Sequence, residues 1–480
     1  MSNELAAMSI DELAPLLRER KISPVEVTEA VLERAEALNG KINAYIRIDA
    51  ETARKAAKDA EREIANGTYR GPLHGIPMAL KDNLYLKDQV VTVGSKIHRD
   101  FIPAYDATVV SKLKEAGAII TGTLNMHEYA WGATTTNPHH GACRNPWDPE
   151  KIPGGSSGGS GAAVAADMTI ASLGTDTAGS IRIPASACGI VGLKPTYGRV
   201  SKYGCFPLAW SLDHIGPMTK TVKDAAMLLE VIAGYDVKDL TCIDVPTASY
   251  TSACTTDVSQ LVIGVNESYF FHEVDQGVEN CVRQAIRKLE EMGAKVVPVE
   301  IPGIELATFA EIVTSTAEAS TIHHQHLKER PQDFGADVRF LLELGELHSA
   351  VDYLQAQQIR HRLNESFRQA FQQVDVLITP TLPFTPPAIG QNTVMINGQE
   401  ADFLDHVIRF TGPTNLTGLP TISVPCGFSD GLPVGLQIIG APFREDVILN
   451  TAYAIEQTNP TKERKPDLKI DPVESLTRSL

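Results

Sequence analysis

Apolar positions follow two periods along the chain. Val27, Val31, Ala35 and Leu38 recur on one face of a helix. Ahead of them, Ser23-Pro24-Val25-Glu26 has capping-box spacing with proline at the first helical position. The spacing predicts an amphipathic N-terminal helix, continued by the charged run 51–66. From Gly71 the pattern changes to short apolar runs broken by glycine and proline. Residues 76–80 read as a strand ending on Lys81, 109–116 as a helix face and 118–122 as a strand. Residues 221–234 form a further helix with Thr221 as N-cap and Gly234 as its stop. A strand at 261–265, a helix face through Val278, Val282 and Leu289 as far as Gly293, and a strand at 296–299 make a parallel crossover unit. Strands are also predicted at 375–379, 422–425 and 434–439. Periodicity lapses between 236 and 259, a loop or seam, and the charged tail after Gln457 is expected to be loose. The alternation of helix and strand predicts an α/β fold.

Residues 154–195 break this rhythm. Gly154-Gly-Ser-Ser-Gly-Gly-Ser-Gly161 and Leu173-Gly-Thr-Asp-Thr-Ala-Gly-Ser-Ile-Arg-Ile-Pro184 are glycine-rich turns bearing small hydroxyl residues, and they flank a short apolar helix pattern at 162–166. Glycines let backbone amides converge without side chains in the way, which is how a site for a developing oxyanion is built. A flexible linker would not carry the apolar core segments found here, and no lysine follows the glycines as a phosphate loop requires.

Charge and cysteine usage narrow the partners. The formal charge of −16 over 480 residues argues against nucleic acid and anionic membrane, both of which need a basic footprint. The start of the chain has no signal-peptide pattern, no run of eighteen apolar residues occurs, and seven cysteines include no C-x-x-C pair. A cytoplasmic protein with reduced thiols is expected. Cys188 and Cys205 lie near the glycine-rich region but read as small core residues. His323, His324 and His326 point to different faces of one helix and read as surface, so no metal is expected.

The candidates for chemistry are Ser180, Ser156 and Lys81. A serine needs a base to take its proton, and no histidine occurs between His140 and His214. A lysine serves if burial keeps it neutral, and Ile76, Met78 and Leu80 offer such a setting. Asp176 and Arg182 read as a structural pair anchoring the loop, and Ser157 and Thr175 as hydrogen-bonding partners of the same turn. Gly154-Gly-Ser-Ser-Gly158 also satisfies G-x-S-x-G, the nucleophile elbow of α/β-hydrolase esterases, but residues 145–153 before it are no strand.

The run GGSSGGS, the later Thr175-Asp-Thr-Ala-Gly-Ser-Ile-Arg-Ile-Pro184 and Cys188-Gly-Ile-Val-Gly-Leu-Lys-Pro-Thr-Tyr-Gly-Arg-Val-Ser201 resemble the amidase signature family. Further matching segments are Gly75-Ile-Pro-Met-Ala-Leu-Lys-Asp-Asn83, Ser211-Leu-Asp-His-Ile-Gly-Pro217 and Gly418-Leu-Pro-Thr-Ile-Ser-Val-Pro425, so the resemblance covers nearly the whole chain. It implies an α/β amidase signature fold, a large mixed sheet covered by helices on both faces. It also implies one domain over 1–480, with a helical segment to about 68, a signature core at 69–235 and a C-terminal half at 260–460.

By the same resemblance Ser180 is the nucleophile, Ser156 the bridging serine after a cis peptide bond, and Lys81 the base acting through Ser156. The oxyanion donors implied are backbone amides of Thr177, Ala178 and Gly179 through Ser180. Ala178 stands where the family usually has glycine, and a positive φ there would strain it. No cofactor or metal is implied. Chains of this family include free-standing amidases and, more distantly, the A subunit of glutamyl-tRNA(Gln) amidotransferase. Glutamine-using members carry an acidic residue three positions before the Thr-x-Pro-x-Asn segment, where this chain has Ile408 before Thr411. They also carry paired arginines where this chain has Arg339, Phe340 and Leu341. The expectation is therefore a free-standing amidase acting on a small-molecule amide, with an apolar acyl pocket from Met126, Trp131, Trp210 and Ile408. A glutaminase subunit is the alternative and an esterase the remote one. Neither nucleic acid nor membrane is an expected partner, and the reading leaves room for a homodimer.

Overall fold

The computed structural model describes residues 2–468. Eleven strands form one mixed sheet. In spatial order they are Tyr45–Ile48, Ile119–Leu124, Pro77–Lys81, Ala171–Asp176, His214–Thr219, Val191–Lys194, Thr421–Ser429, Leu432–Gly440, Val376–Pro380, Val262–Val265 and Lys295–Pro298. Pro77–Lys81 runs parallel to both of its neighbours. The strands from His214–Thr219 through Val376–Pro380 pair antiparallel, and the last three run parallel again. Every residue of Pro77–Lys81, Ala171–Asp176, His214–Thr219 and Val376–Pro380 is buried, so these strands are covered on both faces and show no inward–outward alternation.

The predicted elements form where the spacing placed them. Pro24–Ile42 starts from a complete capping box between Ser23 and Glu26, with proline in the first turn. The helix Val222–Ile232 is capped by Thr221, whose side chain accepts from the Asp224 amide. The crossover at 261–299 is realised as Val262–Val265, Gln276–Glu291 and Lys295–Pro298, with the two strands parallel.

Three expectations are corrected. The helix placed at 162–166 spans Gly158–Ala165, so the second cluster of glycines forms its first turn rather than a loop before it. His323 is 1% exposed, not on the surface. It lies within a ring cluster of Tyr129 at 4.2 Å, Phe334 at 5.6 Å and Phe206 at 5.8 Å, whereas His324 is exposed and His326 partly so. The tail beyond Gln457 is docked as far as it is described: Lys465 Nζ donates to the Ala7 carbonyl at 3.2 Å and to Asp167 at 3.3 Å. The remainder of that tail lies outside the described residues. Among the described residues no helix is long and apolar enough to cross a membrane.

Candidate active site

Two parallel strands deliver the polar residues of the site at their carboxyl ends, where α/β sheets generally bind ligands. Pro77–Lys81 ends on Lys81, and its neighbour Ala171–Asp176, in register Leu80 to Leu173, ends on Thr175 and Asp176. Adjacent parallel strands bring Lys81 and Thr175 side by side. Lys81 Nζ lies 2.7 Å from Thr175 Oγ1 and 2.7 Å from Ser156 Oγ, and Asn83 Nδ2 donates to the same Thr175 hydroxyl at 3.1 Å.

Lys81 and Ser156 are fully buried. Burial disfavours the ammonium and pushes the Lys81 pKa down to about 7, against an opposing pull from Cys205, Asp176 and Asp213. The Cys205 thiol is itself pushed up to about 12, chiefly by burial, so at neutral pH the opposing pull comes from Asp176 and Asp213. Lys81 is thus an amine poised to be neutral, in contact with a serine hydroxyl.

The peptide bond between Gly155 and Ser156 is cis. Its turn is fixed from both sides: the His127 amide donates to the Ser156 carbonyl at 3.1 Å, and the Thr135 hydroxyl donates to the Gly154 carbonyl at 2.9 Å. A Cβ on Gly155 would meet the backbone of Ala133 and Thr134 at 2.7 Å, so only glycine fits there. Beside it, the Ser157 amide donates to the Ser180 carbonyl at 3.3 Å, which holds the Ser180 turn against the Ser156 turn. Ser180 is half-buried, the one member of the trio reachable from outside.

The turn 177–180 is shaped by residues on either side of it. Asp176 and Arg182, both fully buried, form a two-pronged ion pair at 2.9 and 3.0 Å. Burial pushes the Asp176 carboxyl up, but the Arg182 guanidinium outweighs it and holds the group well below the carboxylate range. Asp176 also accepts the Gly179 amide at 2.8 Å and the Ile181 amide at 3.1 Å. The Gly179 amide is therefore engaged, which corrects its place among the expected oxyanion donors. Thr177, Ala178 and Ser180 keep theirs available. Positive φ falls on Gly179, at +135°, and Ala178 is not among the positive-φ residues, so alanine sits at 178 without the strain considered for it.

The far end of the chain closes over this turn. The Thr411 hydroxyl donates to the Ala178 carbonyl, and a Cβ on Gly179 would stand 2.3 Å from that hydroxyl. Arg182 donates to the Thr411 carbonyl, Thr414 Oγ1, Asn415 Oδ1 and Gln437 Oε1 at 2.6–3.0 Å. The Thr-x-Pro-x-Asn segment was visible in the sequence, but nothing there tied it to Ala178 and Arg182.

The expected acyl pocket is only partly assembled. Trp131 is half-buried and leads into Gly132 and Ala133, which abut Gly155. Ile408 packs in a satellite apolar cluster with Ala133, Ile183 and Phe403, close behind the Ser180 turn. Met126 is fully buried, its side chain packed in the main core. Trp210 is 58% exposed on a hollow shared with Lys202, Cys205 and Asp213, on the Thr177 side of the turn. Arg339 lies 3.5 Å from Glu343 of its own helix.

Other candidate groups are occupied elsewhere. Ser157 Oγ donates to the Thr175 carbonyl at 3.2 Å and Ser160 Oγ accepts from Ser172 at 3.0 Å. Cys188 is buried, and its thiol is pushed up well above its usual range by burial. His214 is held between Lys194 Nζ and the Leu212 carbonyl, and His127 between Asp337 and Thr134. Among the described residues no group of three or more His, Cys, Asp or Glu could hold a metal.

Comparison with known proteins shows the family and the fold. The family model described as Amidase matches residues 26–449. The A subunit of the glutamyl-tRNA(Gln) amidotransferase of Moorella thermoacetica is 43% identical over 490 residues, 97% of this chain and 100% of that one. A solved structure described as a vestigial protein complex revealing the origins of an s-triazine catabolic enzyme superposes with TM-score 0.90 at 35% identity, over 94% of this chain and 98% of that one. A bacterial aryl acylamidase described as an amidase signature enzyme gives TM-score 0.86 at 28% identity, over 94% and 96%.

Proposed function

The chain belongs to the amidase signature family, hydrolases that act on carbon–nitrogen amide bonds, and on that premise we propose that it cleaves a small carboxylic amide through an acyl-enzyme on Ser180. The observation that carries the proposal is a buried lysine, kept near neutrality, 2.7 Å from the Ser156 hydroxyl in the turn beside Ser180. In this reading the Ser180 hydroxyl passes its proton to Ser156 Oγ as the new bond to the amide carbon forms, while the Ser156 proton moves to the neutral amine of Lys81. The amides of Thr177, Ala178 and Ser180 hold the oxyanion. The lysine proton then returns through Ser156 to the leaving nitrogen. Water, activated along the same relay, releases the carboxylate.

For the substrate, the relatives at 41–43% identity favour glutamine and a role as the ammonia-releasing component of an amidotransferase over the free-standing amidase expected from sequence. In that role glutamine is cut to glutamate, and the ammonia passes to a partner chain. One observation favours the second reading, an amidase of apolar acyl groups: Ile408 packs with Ala133 and Ile183 where an acidic clamp is expected, and Arg339 is turned to Glu343. The test is ammonia release by the purified chain from glutamine, hexanamide and an anilide, with Ser180→Ala as the blank. Glutamine as the best substrate supports the amidotransferase reading; hexanamide or the anilide ahead of glutamine supports the free-standing one. Equal release by Ser180→Ala overturns both.

A further inference from the structure

The helix Ala307–Glu329 packs beside the Thr411 segment and buries two carboxyl groups, Glu311 and Glu318. Glu318 is fully partnered, accepting from the Ser211 amide at 3.0 Å, the Ser211 hydroxyl at 2.6 Å and the Tyr353 hydroxyl at 3.0 Å. Glu311, two turns earlier, is 1% exposed, and its Oε1 has no hydrogen-bond partner among the described residues. A buried polar atom left unpaired costs free energy, so such an atom in a folded chain calls for an explanation. The position of Glu311 supplies one: its Cγ would lie 3.3 Å from a Cβ at Gly412, the residue after Thr411, whose hydroxyl grips the Ala178 carbonyl. With glycine at 412, no side chain at that position packs over Glu311.

We propose that Glu311 is the specificity-determining group of the acyl pocket and that it receives a primary ammonium carried by the acyl portion of the amide. The inference rests on the amide-hydrolysis reading and deepens it, because it supplies from another element the acidic group that Ile408 does not provide. With the pocket empty, burial first and then the neighbouring negative charges of Asp176 and Glu318 push the Glu311 pKa up to about 8, so the carboxyl waits protonated. Asp176 exerts this effect from within its pair with Arg182, and the Ser315 hydroxyl lowers the pKa without carrying a charge. An arriving ammonium is the missing counter-charge: Glu311 gives its proton to solvent and the pair forms in a dry setting. A free carboxylate on the same part of the substrate is disfavoured by the same acidic surroundings.

The experiment uses an isosteric pair, 5-aminopentanamide and hexanamide, which differ by an ammonium in place of a methyl group. Binding is measured calorimetrically to Ser180→Ala and to Ser180→Ala combined with Glu311→Gln, and turnover is measured with the wild type and Glu311→Gln alone. Glutamine keeps the shape of the glutamate, so folding is preserved, and thermal melting verifies it. The expected result is tighter binding of 5-aminopentanamide than hexanamide, with a selective loss in Glu311→Gln of about 10- to 100-fold that appears in KM more than in kcat. Proton release on binding, read from buffers of different ionisation enthalpy, should accompany the preference at pH 7 and vanish in the variant. Equal binding of the two amides, or an equal loss of both in Glu311→Gln, overturns the inference. A preference for the amine in binding, together with turnover indifferent to Ser180→Ala, would keep it and overturn the acyl-enzyme reading instead.

Discussion

Lys81 Nζ lies 2.7 Å from Ser156 Oγ, although 75 positions separate them in the chain. The contact joins the end of a central strand to the cis peptide turn, and among the described residues the buried amine meets no carboxylate within bonding distance. Its partners are two hydroxyls, which accept a proton or donate one equally well.

The pH dependence of acylation follows from that setting. In the proposed relay the neutral amine is the active form, so single-turnover acylation should rise with pH through about 7 and level off above it, rather than climbing toward 10 as for an exposed lysine. Lys81→Ala should lose at least about 100-fold in kcat, the lower end of a general base's contribution. Lys81→Arg should lose nearly as much, because a guanidinium keeps its proton in this range. Near-wild-type turnover by a folded Lys81→Arg would remove Lys81 from the relay.

Stability should also rise with pH, over a higher range. Burial lowers the pKa of Lys81 in the folded chain to about 7 from 10.5. Below pH 7 both folded and unfolded chains hold the proton, and the folded one bears the full penalty of a buried charge. Between 7 and 10.5 the unfolded chain binds more protons, so stability attributable to this residue rises with pH, and above 10.5 the penalty is gone. Lys81→Met should therefore be inactive yet more stable than the wild type by on the order of a few kcal/mol at pH 6. The gain should shrink as pH rises toward 10. Denaturant unfolding at pH 6 and pH 9 measures it; an equal change at both pH values would refute the assignment.

A fluorophosphonate or sulfonyl fluoride should modify Ser180 and nothing else in the site. Ser180 is half-buried, whereas Ser156 and Ser157 are fully buried. Peptide mass mapping should place the adduct on Ser180, and Lys81→Ala should slow labelling by a factor comparable to its loss of kcat. An adduct on Ser157 or Cys188 would displace Ser180 as nucleophile.

Gly179 and Ala178 should respond oppositely to exchange. Gly179→Ala adds a Cβ 2.3 Å from the Thr411 hydroxyl at a φ of +135°, so the turn must shift. Loss of most activity, and roughly 1–3 kcal/mol of stability, is expected from overpacking at a strained φ. Ala178→Gly, at a position without positive φ, should keep activity within a few-fold. Active Gly179→Ala enzyme would show that the turn does not need its present shape.

Much of this arrangement was legible in the sequence, and the limit is physical. Strand ends and caps are local, so Lys81 at the end of an apolar run and Ser23 or Thr221 at a cap could be read from spacing alone. The resemblance supplied the pairing of Lys81 with Ser156. What could not be read depends on contacts between distant segments. The Gly179 amide is taken by an Asp176 carboxylate that Arg182 and Asn415 orient. His323 is buried because Tyr129, Phe206 and Phe334 arrive from three other segments. Met126 disappears into the core, and Trp210 stands out in solvent, for reasons of sheet order and not of local pattern. Glu311 gave no signal at all, since one acid on a helix is ordinarily a solvated one.

The grip of Thr411 and Arg182 on the Ser180 turn also sets when that turn can be completed during translation. Arg182 and Thr411 are 229 positions apart. At ribosomal speeds of about 5–20 residues per second, the three proposed catalytic side chains exist for roughly 10–50 seconds before the segment that clamps their turn has been made. A chain interrupted in that interval carries Lys81, Ser156 and Ser180 but lacks the hydroxyl that holds Ala178 and the acceptors that surround Arg182. The turn that carries Ser180 thus gains its clamp only once the C-terminal half has been synthesised and packed.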